Sequence, residues 1–243
     1  MKREIYIFND KQELADRLAS DFQRMVEKSR NGRKGISVAL SGGSTPRIFF
    51  ERLALEPYLG RVPWSNVNLF WGDERCVPPD DEQSNFKMAK DTFISKVNIP
   101  DENVHRIIGE NPPEVEAQRY GKEIVKSLPS INGFPEFDWI FLGMGTDGHT
   151  ASLFPNAPTL KEMNAICVVA EHPETGQKRI SLTLPVINNA RRVSFLVAGK
   201  DKANVLKEIL EKGDSPLHYP ASKVNPENGV LEWYLDKAAA PEN

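Results

Sequence analysis

Short apolar runs alternate with amphipathic stretches along most of the chain, the signature of βαβ units built on a largely parallel sheet. Ile5-Tyr6-Ile7-Phe8 reads as a first strand, halted by Asn9-Asp10. Leu14, Leu18, Phe22 and Met25/Val26 then recur at helical spacing up to Gly32. Further strands are predicted at 36–40, 67–71, 138–142, 166–170, 180–184, 193–198 and 230–235, and helices over 84–94, 113–128 and 202–212. Three segments follow neither period: 76–85, 129–135 and 213–229, the last carrying Pro216, Pro220 and Pro226. A loop that long in a compact domain is usually functional or mobile. No internal repeat and no linker of shifted composition divides the pattern. The expectation is one α/β domain over residues 1–243.

Composition narrows the class without changing that picture. The 243 residues are 40% hydrophobic, and 31 Lys+Arg against 34 Asp+Glu leave a formal charge of −3. Those values suit a globular chain. With no long Lys/Arg block there is no electrostatic footprint for nucleic acid or anionic lipid. No apolar run approaches the roughly 18 residues of a membrane span. Met1-Lys2-Arg3-Glu4 runs straight into strand-like sequence instead of a signal-peptide core. Cys76 and Cys167 are the only cysteines, too few for a disulfide framework or a Cys-rich zinc site. The expectation is a soluble, cytoplasmic protein that binds neither nucleic acid nor membrane.

Candidate chemistry sits at three points. Leu40-Ser41-Gly42-Gly43-Ser44-Thr45-Pro46 lies between a strand and a helix. Its glycines let the backbone approach a ligand, Thr45 is a natural N-cap, and Pro46 suits the first helical turn. Free N–H groups there, with the Ser44 and Thr45 hydroxyls, suit a phosphate. No Gly-Lys-Ser/Thr follows, so it is not a Walker A loop. A plain capped turn is the competing reading. Asp73-Glu74-Arg75 follows the strand at 67–71, where ligands of open α/β sheets gather. Arg75 could hold negative charge, and Asp73 could bind hydroxyls or act as a base. A solvated, self-neutralising charge cluster is the plainer alternative.

The third is the run from Gly143-Met144-Gly145-Thr146-Asp147-Gly148-His149 to Leu153-Phe154-Pro155. Its glycines spell G-x-G-x-x-G, but Pro155 follows too soon for the long helix of a dinucleotide fold. His149, two residues from Asp147 on a Gly-rich turn, is the better lead. An imidazole beside a carboxylate can take a proton from water. His105, His172 and His218 read as surface or packed histidines. No His-x-x-x-His or Cys-x-x-Cys spacing and no G-x-S-x-G elbow occurs, and Asp80-Asp81-Glu82 reads as an exposed loop.

Together the three motifs, in this order, resemble the 6-phosphogluconolactonase family. The similarity continues through Arg179-Ile180-Ser181-Leu182-Thr183-Leu184-Pro185-Val186-Ile187-Asn188 and Pro220-Ala221-Ser222. The resemblance implies a Rossmann-like α/β domain, mostly parallel, with helices on both faces. It implies hydrolysis of 6-phospho-D-glucono-1,5-lactone to 6-phospho-D-gluconate, the second step of the oxidative pentose phosphate pathway, with no cofactor and no metal. By the same resemblance His149 is the base that activates water, and Asp147 orients it or binds a hydroxyl. Gly42, Gly43, Ser44, Thr45, Asp73, Arg75, Gly148 and Arg179 are the expected substrate and phosphate contacts. The expected partner is a small sugar-phosphate lactone, and the expected state a monomer or small homo-oligomer. Two rivals share the fold. Glucosamine-6-phosphate deaminases carry a Glu five residues after the histidine, where this chain has Phe154. Sugar-phosphate-sensing regulators add a DNA-binding unit, for which 243 residues leave no room.

Overall fold

The computed structural model describes residues 2–29, 35–211 and 218–241. In chain order the elements are β1 (Lys2–Phe8), α1 (Lys11–Lys28), β2 (Ile36–Leu40), α2 (Ser44–Leu53), α3 (Tyr58–Arg61), β3 (Val67–Trp71), β4 (Asp73–Arg75), α4 (Asn85–Thr92) and α5 (Pro113–Ser127). There follow β5 (Ser130–Ile131), β6 (Phe134–Pro135), β7 (Trp139–Leu142), β8 (Cys167–Glu171), β9 (Lys178–Leu182), α6 (Leu184–Asn188), β10 (Arg192–Val197), α7 (Ala203–Glu211) and β11 (Val230–Asp236). Gly32, Lys212 and the start of the 213–229 loop lie outside the described residues.

Six strands form a parallel sheet in the order β1-β11-β10-β7-β2-β3, flanked by helices. Every residue of β2 and β7 is buried, as expected of central strands covered on both faces, whose sequences are near-continuous apolar runs with Ser37 the one polar residue. β1 lies at an edge and leaves Ile5 and Ile7 exposed. Asp10 starts α1 by accepting from the Gln12 and Glu13 N–H groups, and Leu14, Leu18, Phe22 and Val26 form its buried stripe. Phe22, Phe49, Trp139 and Phe141 pack α1 and α2 onto the sheet with ring centroids 4.6 to 6.4 Å apart.

Three departures from the sequence pattern have local causes. Asp73–Arg75 is a strand: the chain leaves the main sheet at Gly72, and β4 joins β9 and β8 in a small antiparallel sheet. Residues 129–135 form a β5–β6 hairpin, not an irregular loop. Asn132 and Gly133 take φ of 53° and 83°, the left-handed pair that a tight Asn-Gly hairpin requires. The strand expected over 180–184 stops at Leu182, and Leu184 opens α6. Pro185 has no N–H for a ladder but fits the first turn of a helix.

Candidate active site

β2 delivers the first wall. Gly43, at φ 107° and ψ 171°, is the N-cap of α2, and no side chain caps that helix. The expected cap at Thr45 is therefore corrected: Thr45 lies within the first turn and is buried. Only glycine reaches Gly43's backbone region at little cost, which frees the turn from needing a side-chain cap. The helix start thus keeps backbone N–H groups for an anion. Gly42 is required by its neighbour, because a Cβ there would lie 2.0 Å from Asn85 Oδ1. The Gly143 N–H donates to Ser41 Oγ at 3.2 Å and ties this loop to the end of β7.

β4 and β9 deliver the second wall. Asp73 and Glu74 are buried, so the solvated-cluster reading of 73–75 does not hold. Asp73 Oδ2 accepts from Ser152 Oγ at 2.6 Å, and its main-chain oxygen accepts from Asn85 Nδ2 at 2.9 Å. Burial pushes the Glu74 carboxyl up, while backbone N–H bonds from Asn85, Phe86 and Arg75 pull it down less strongly. Arg75 stands directly across from Arg179 in the antiparallel register. Each has a buried Nε without a hydrogen-bond partner, and the Arg75 Nη1 donates to the Gln83 main-chain oxygen. Burial, then the Arg75 charge, lowers the Arg179 pKa. Like charges placed opposite each other are unfavourable, and an anion between them removes that cost.

The loop after β7 delivers the third. The Gly145 N–H donates to the His149 carbonyl at 2.9 Å and the Gly148 N–H to the Gly145 carbonyl at 3.1 Å, closing a tight turn. No helix starts at Gly148, so the G-x-G-x-x-G spacing does not build a dinucleotide turn. His149 Nδ1 lies 2.6 Å from Asp147 Oδ1, and the His149 backbone N–H donates to the same oxygen at 3.1 Å. Burial opposes ionisation of Asp147, but the bonds from His149 outweigh it and hold the carboxyl at about 2. The carboxylate accepts the Nδ1 proton, so the neutral ring carries its free lone pair on Nε2. Phe154 backs the His149 ring at 4.9 Å and lies beneath the Arg179 guanidinium at 5.6 Å. A Cβ on Gly145 would fall 2.2 Å from His149 Nδ1, so glycine is needed for the ring to sit there.

These walls enclose a cleft of about 270 Å³ at the carboxyl ends of β2, β3, β7 and β10. Gly42, Gly43, Ser44, Thr45, Asp73, Arg75, His149 and Arg179 border it. Asp147 stands behind His149, and Gly148 turns toward Tyr219, so neither lines the cleft. Asn85 and Lys202 also border it, and sequence reasoning missed both. Lys202 read as the first residue of a helix. It sits instead in a short turn after β10, with Nζ 3.3 Å from Asp201, and Gly199 just before it was the available signal. Among the described residues no three His, Cys, Asp or Glu side chains group as metal ligands, and no helix is long and apolar enough to cross a membrane.

A cleft opening over the carboxyl edge of a parallel sheet, with a carboxylate-backed histidine on its wall, defines the class as an α/β enzyme fold. The family model described as glucosamine-6-phosphate isomerases/6-phosphogluconolactonase matches residues 9–233, and the chain belongs to that family. It is 45% identical over 232 residues to the 6-phosphogluconolactonase of Haemophilus influenzae, with 96% of each chain covered. Among solved structures it resembles devB protein at TM-score 0.92 and 44% identity, over 98% of both chains. The 6-phosphogluconolactonase of Trypanosoma brucei superposes at TM-score 0.88 with 31% identity, over 98% of this chain and 97% of that one.

Proposed function

We propose that the protein hydrolyses 6-phospho-D-glucono-1,5-lactone to 6-phospho-D-gluconate using water activated by His149. The named relatives support the reaction. The observation that carries the mechanism is the 2.6 Å Asp147–His149 contact on a cleft that also holds two arginines with unpartnered Nε atoms. The start of α2, Arg75 and Arg179 receive the phosphate and neighbouring oxygens. His149 Nε2 takes a proton as the water oxygen bonds to the lactone carbonyl carbon, and the carbonyl pair moves onto oxygen. Asp147 stabilises the imidazolium without taking its proton. When the oxyanion collapses, the bond to the ring oxygen breaks, and His149 returns the proton to that oxygen. A lactone is an activated ester, so no covalent nucleophile is needed.

The test is His149→Ala. General base catalysis typically contributes about 10²–10⁴-fold, so kcat should fall by two to four orders of magnitude. Affinity for 6-phosphogluconate should change little, because the phosphate contacts lie on other walls of the cleft. His149→Asn should lose nearly as much, since an amide cannot accept the proton. Acid release is followed on freshly generated lactone, with uncatalysed hydrolysis subtracted at each pH. A folded His149→Ala protein that kept more than a tenth of wild-type kcat would sink the assignment.

A further inference from the structure

Glu74 lies between two proposed substrate-contacting residues yet does not border the cleft. It is 2% exposed, and its carboxylate accepts from four neutral donors. Oε1 accepts from the Arg75 N–H at 2.8 Å and the Asn85 N–H at 2.7 Å. Oε2 accepts from the Phe86 N–H at 2.7 Å and Ser84 Oγ at 3.0 Å. Both ends of the 76–84 loop therefore hang on a single oxygen atom. That loop in turn supplies the Gln83 carbonyl that receives the Arg75 Nη1, and Gln83 Oε1 accepts from Gln177 Nε2 at 2.8 Å on the β8–β9 turn. Asn85, fixed at the start of α4, reaches the main-chain oxygen of Asp73 and fills the space beside Gly42. β4, the 76–84 loop and the start of α4 thus meet through this one carboxylate, and Asn85 carries the contact on to Gly42.

We propose that Glu74 is a positioning residue for substrate binding, its carboxylate pinning β4 to the start of α4 so that Arg75 and Asn85 are aimed into the cleft. The chemistry explains the residue type. Four donors converge on two oxygens, a set that only a carboxylate satisfies, because an amide NH₂ would turn a donor toward donors. The inference rests on the phosphate being held by Arg75 and Arg179, so the experiment separates the two claims. 6-Phosphogluconate is titrated calorimetrically into wild-type protein, Glu74→Gln and Ser84→Ala, and kcat, KM and the acid limb of kcat are measured for each.

Wild-type protein that bound gluconate as well as 6-phosphogluconate would refute the phosphate reading itself. With that reading intact, Glu74→Gln should weaken 6-phosphogluconate by about 10- to 100-fold, the value of one charge-assisted hydrogen bond. KM should rise in step, while kcat at saturation and its acid limb stay close to wild type, because the His149–Asp147 turn is carried by another loop. A variant with wild-type affinity overturns the proposal. So does one whose kcat and acid limb shift along with KM, since general loosening of the fold would do that. If Glu74→Gln does not fold, Ser84→Ala decides. It removes one of the four donors and should weaken 6-phosphogluconate by about threefold or more, whereas unchanged affinity overturns the proposal.

Discussion

At the scale of single residues, the site works by assigning each polar atom one task. Asp147 spends one oxygen on the His149 ring and backbone, and that bonding holds its carboxyl at about 2 against an ordinary 3.8. A depressed acid contributes stability that is present above its unfolded value and lost as pH falls through the folded one. Asp147 therefore stays ionised above about pH 4, and no limb of the rate profile at higher pH belongs to it. Asp147→Asn should cut kcat by about 10²–10⁴-fold with 6-phosphogluconate binding kept, because an amide can hold the ring in the wrong tautomer. Kinetics beside calorimetry would show it, and a loss of binding equal to the loss of rate would count against the orienting role. Phe154 assigns a task by what it lacks. It is 2% exposed, packs on His149 and has no proton to transfer. Glucosamine 6-phosphate should release no ammonia in a coupled assay, and His149-dependent ammonia would place the chain on the deaminase side of its family.

At the scale of elements, function depends on how strands end and helices begin. The start of α2 is open because Gly43 takes a backbone conformation that is essentially restricted to glycine. Gly43→Ala should cost about 1–3 kcal/mol, and it should also weaken 6-phosphogluconate by turning the helix-start N–H groups away. Gly133→Ala is the matched control. Its φ of 83° is also left-handed, but a Cβ there meets nothing within 4 Å and no residue of the hairpin borders the cleft. It should lower Tm without touching affinity. If both variants bound 6-phosphogluconate equally well, the helix start would have no part in holding the phosphate. The long, periodic elements were legible in advance: α1, α5, β2 and β3 lie where the pattern puts them. β4 was not, because three charged residues have no apolar period, and their strand geometry comes from a partner strand far along the chain.

At the scale of the whole molecule, the two ends of the sheet do different work. The amino ends of β10 and β11 hold a polar network that does not border the cleft, its carboxylates buried and Arg192 half-buried. Arg192 lies 3.6 Å over the Trp139 ring, donates to Glu232 at 2.6 Å and reaches the Tyr234 hydroxyl at 2.9 Å. The Tyr234 hydroxyl donates to Asp21 Oδ2 at 2.9 Å, and Ser194 Oγ donates to Glu232 at 2.5 Å. Removing one partner of a buried ion pair strands the other, at about 3–5 kcal/mol. Arg192→Met should lower Tm by about 10 °C or more yet keep wild-type kcat where it is folded, since the cleft lies at the carboxyl ends of the strands. Thermal melts and kinetics at a temperature well below the transition separate the two, and a fall in kcat without a fall in Tm would couple this network to the cleft.

What the sequence determined alone is what short-range physics controls. Short apolar runs bounded by turn signals read as strands buried on both faces, a helical stripe must find a core, and a Gly-rich turn after a strand places its residues at the sheet's carboxyl edge. The motif at 143–149 was legible for the same reason, since Asp147 and His149 are near neighbours whose contact a tight turn sets. What only the tertiary structure decided is who meets whom over long separations. Arg75 faces Arg179 because β4 pairs with β9, and Asp73 and Glu74 are buried because Ser152, Ser84 and the start of α4 supply donors. Asn85 and Lys202 reach the cleft from segments whose local pattern says only helix. Burial and pairing of charges are sums over the whole fold, and no window of sequence contains them.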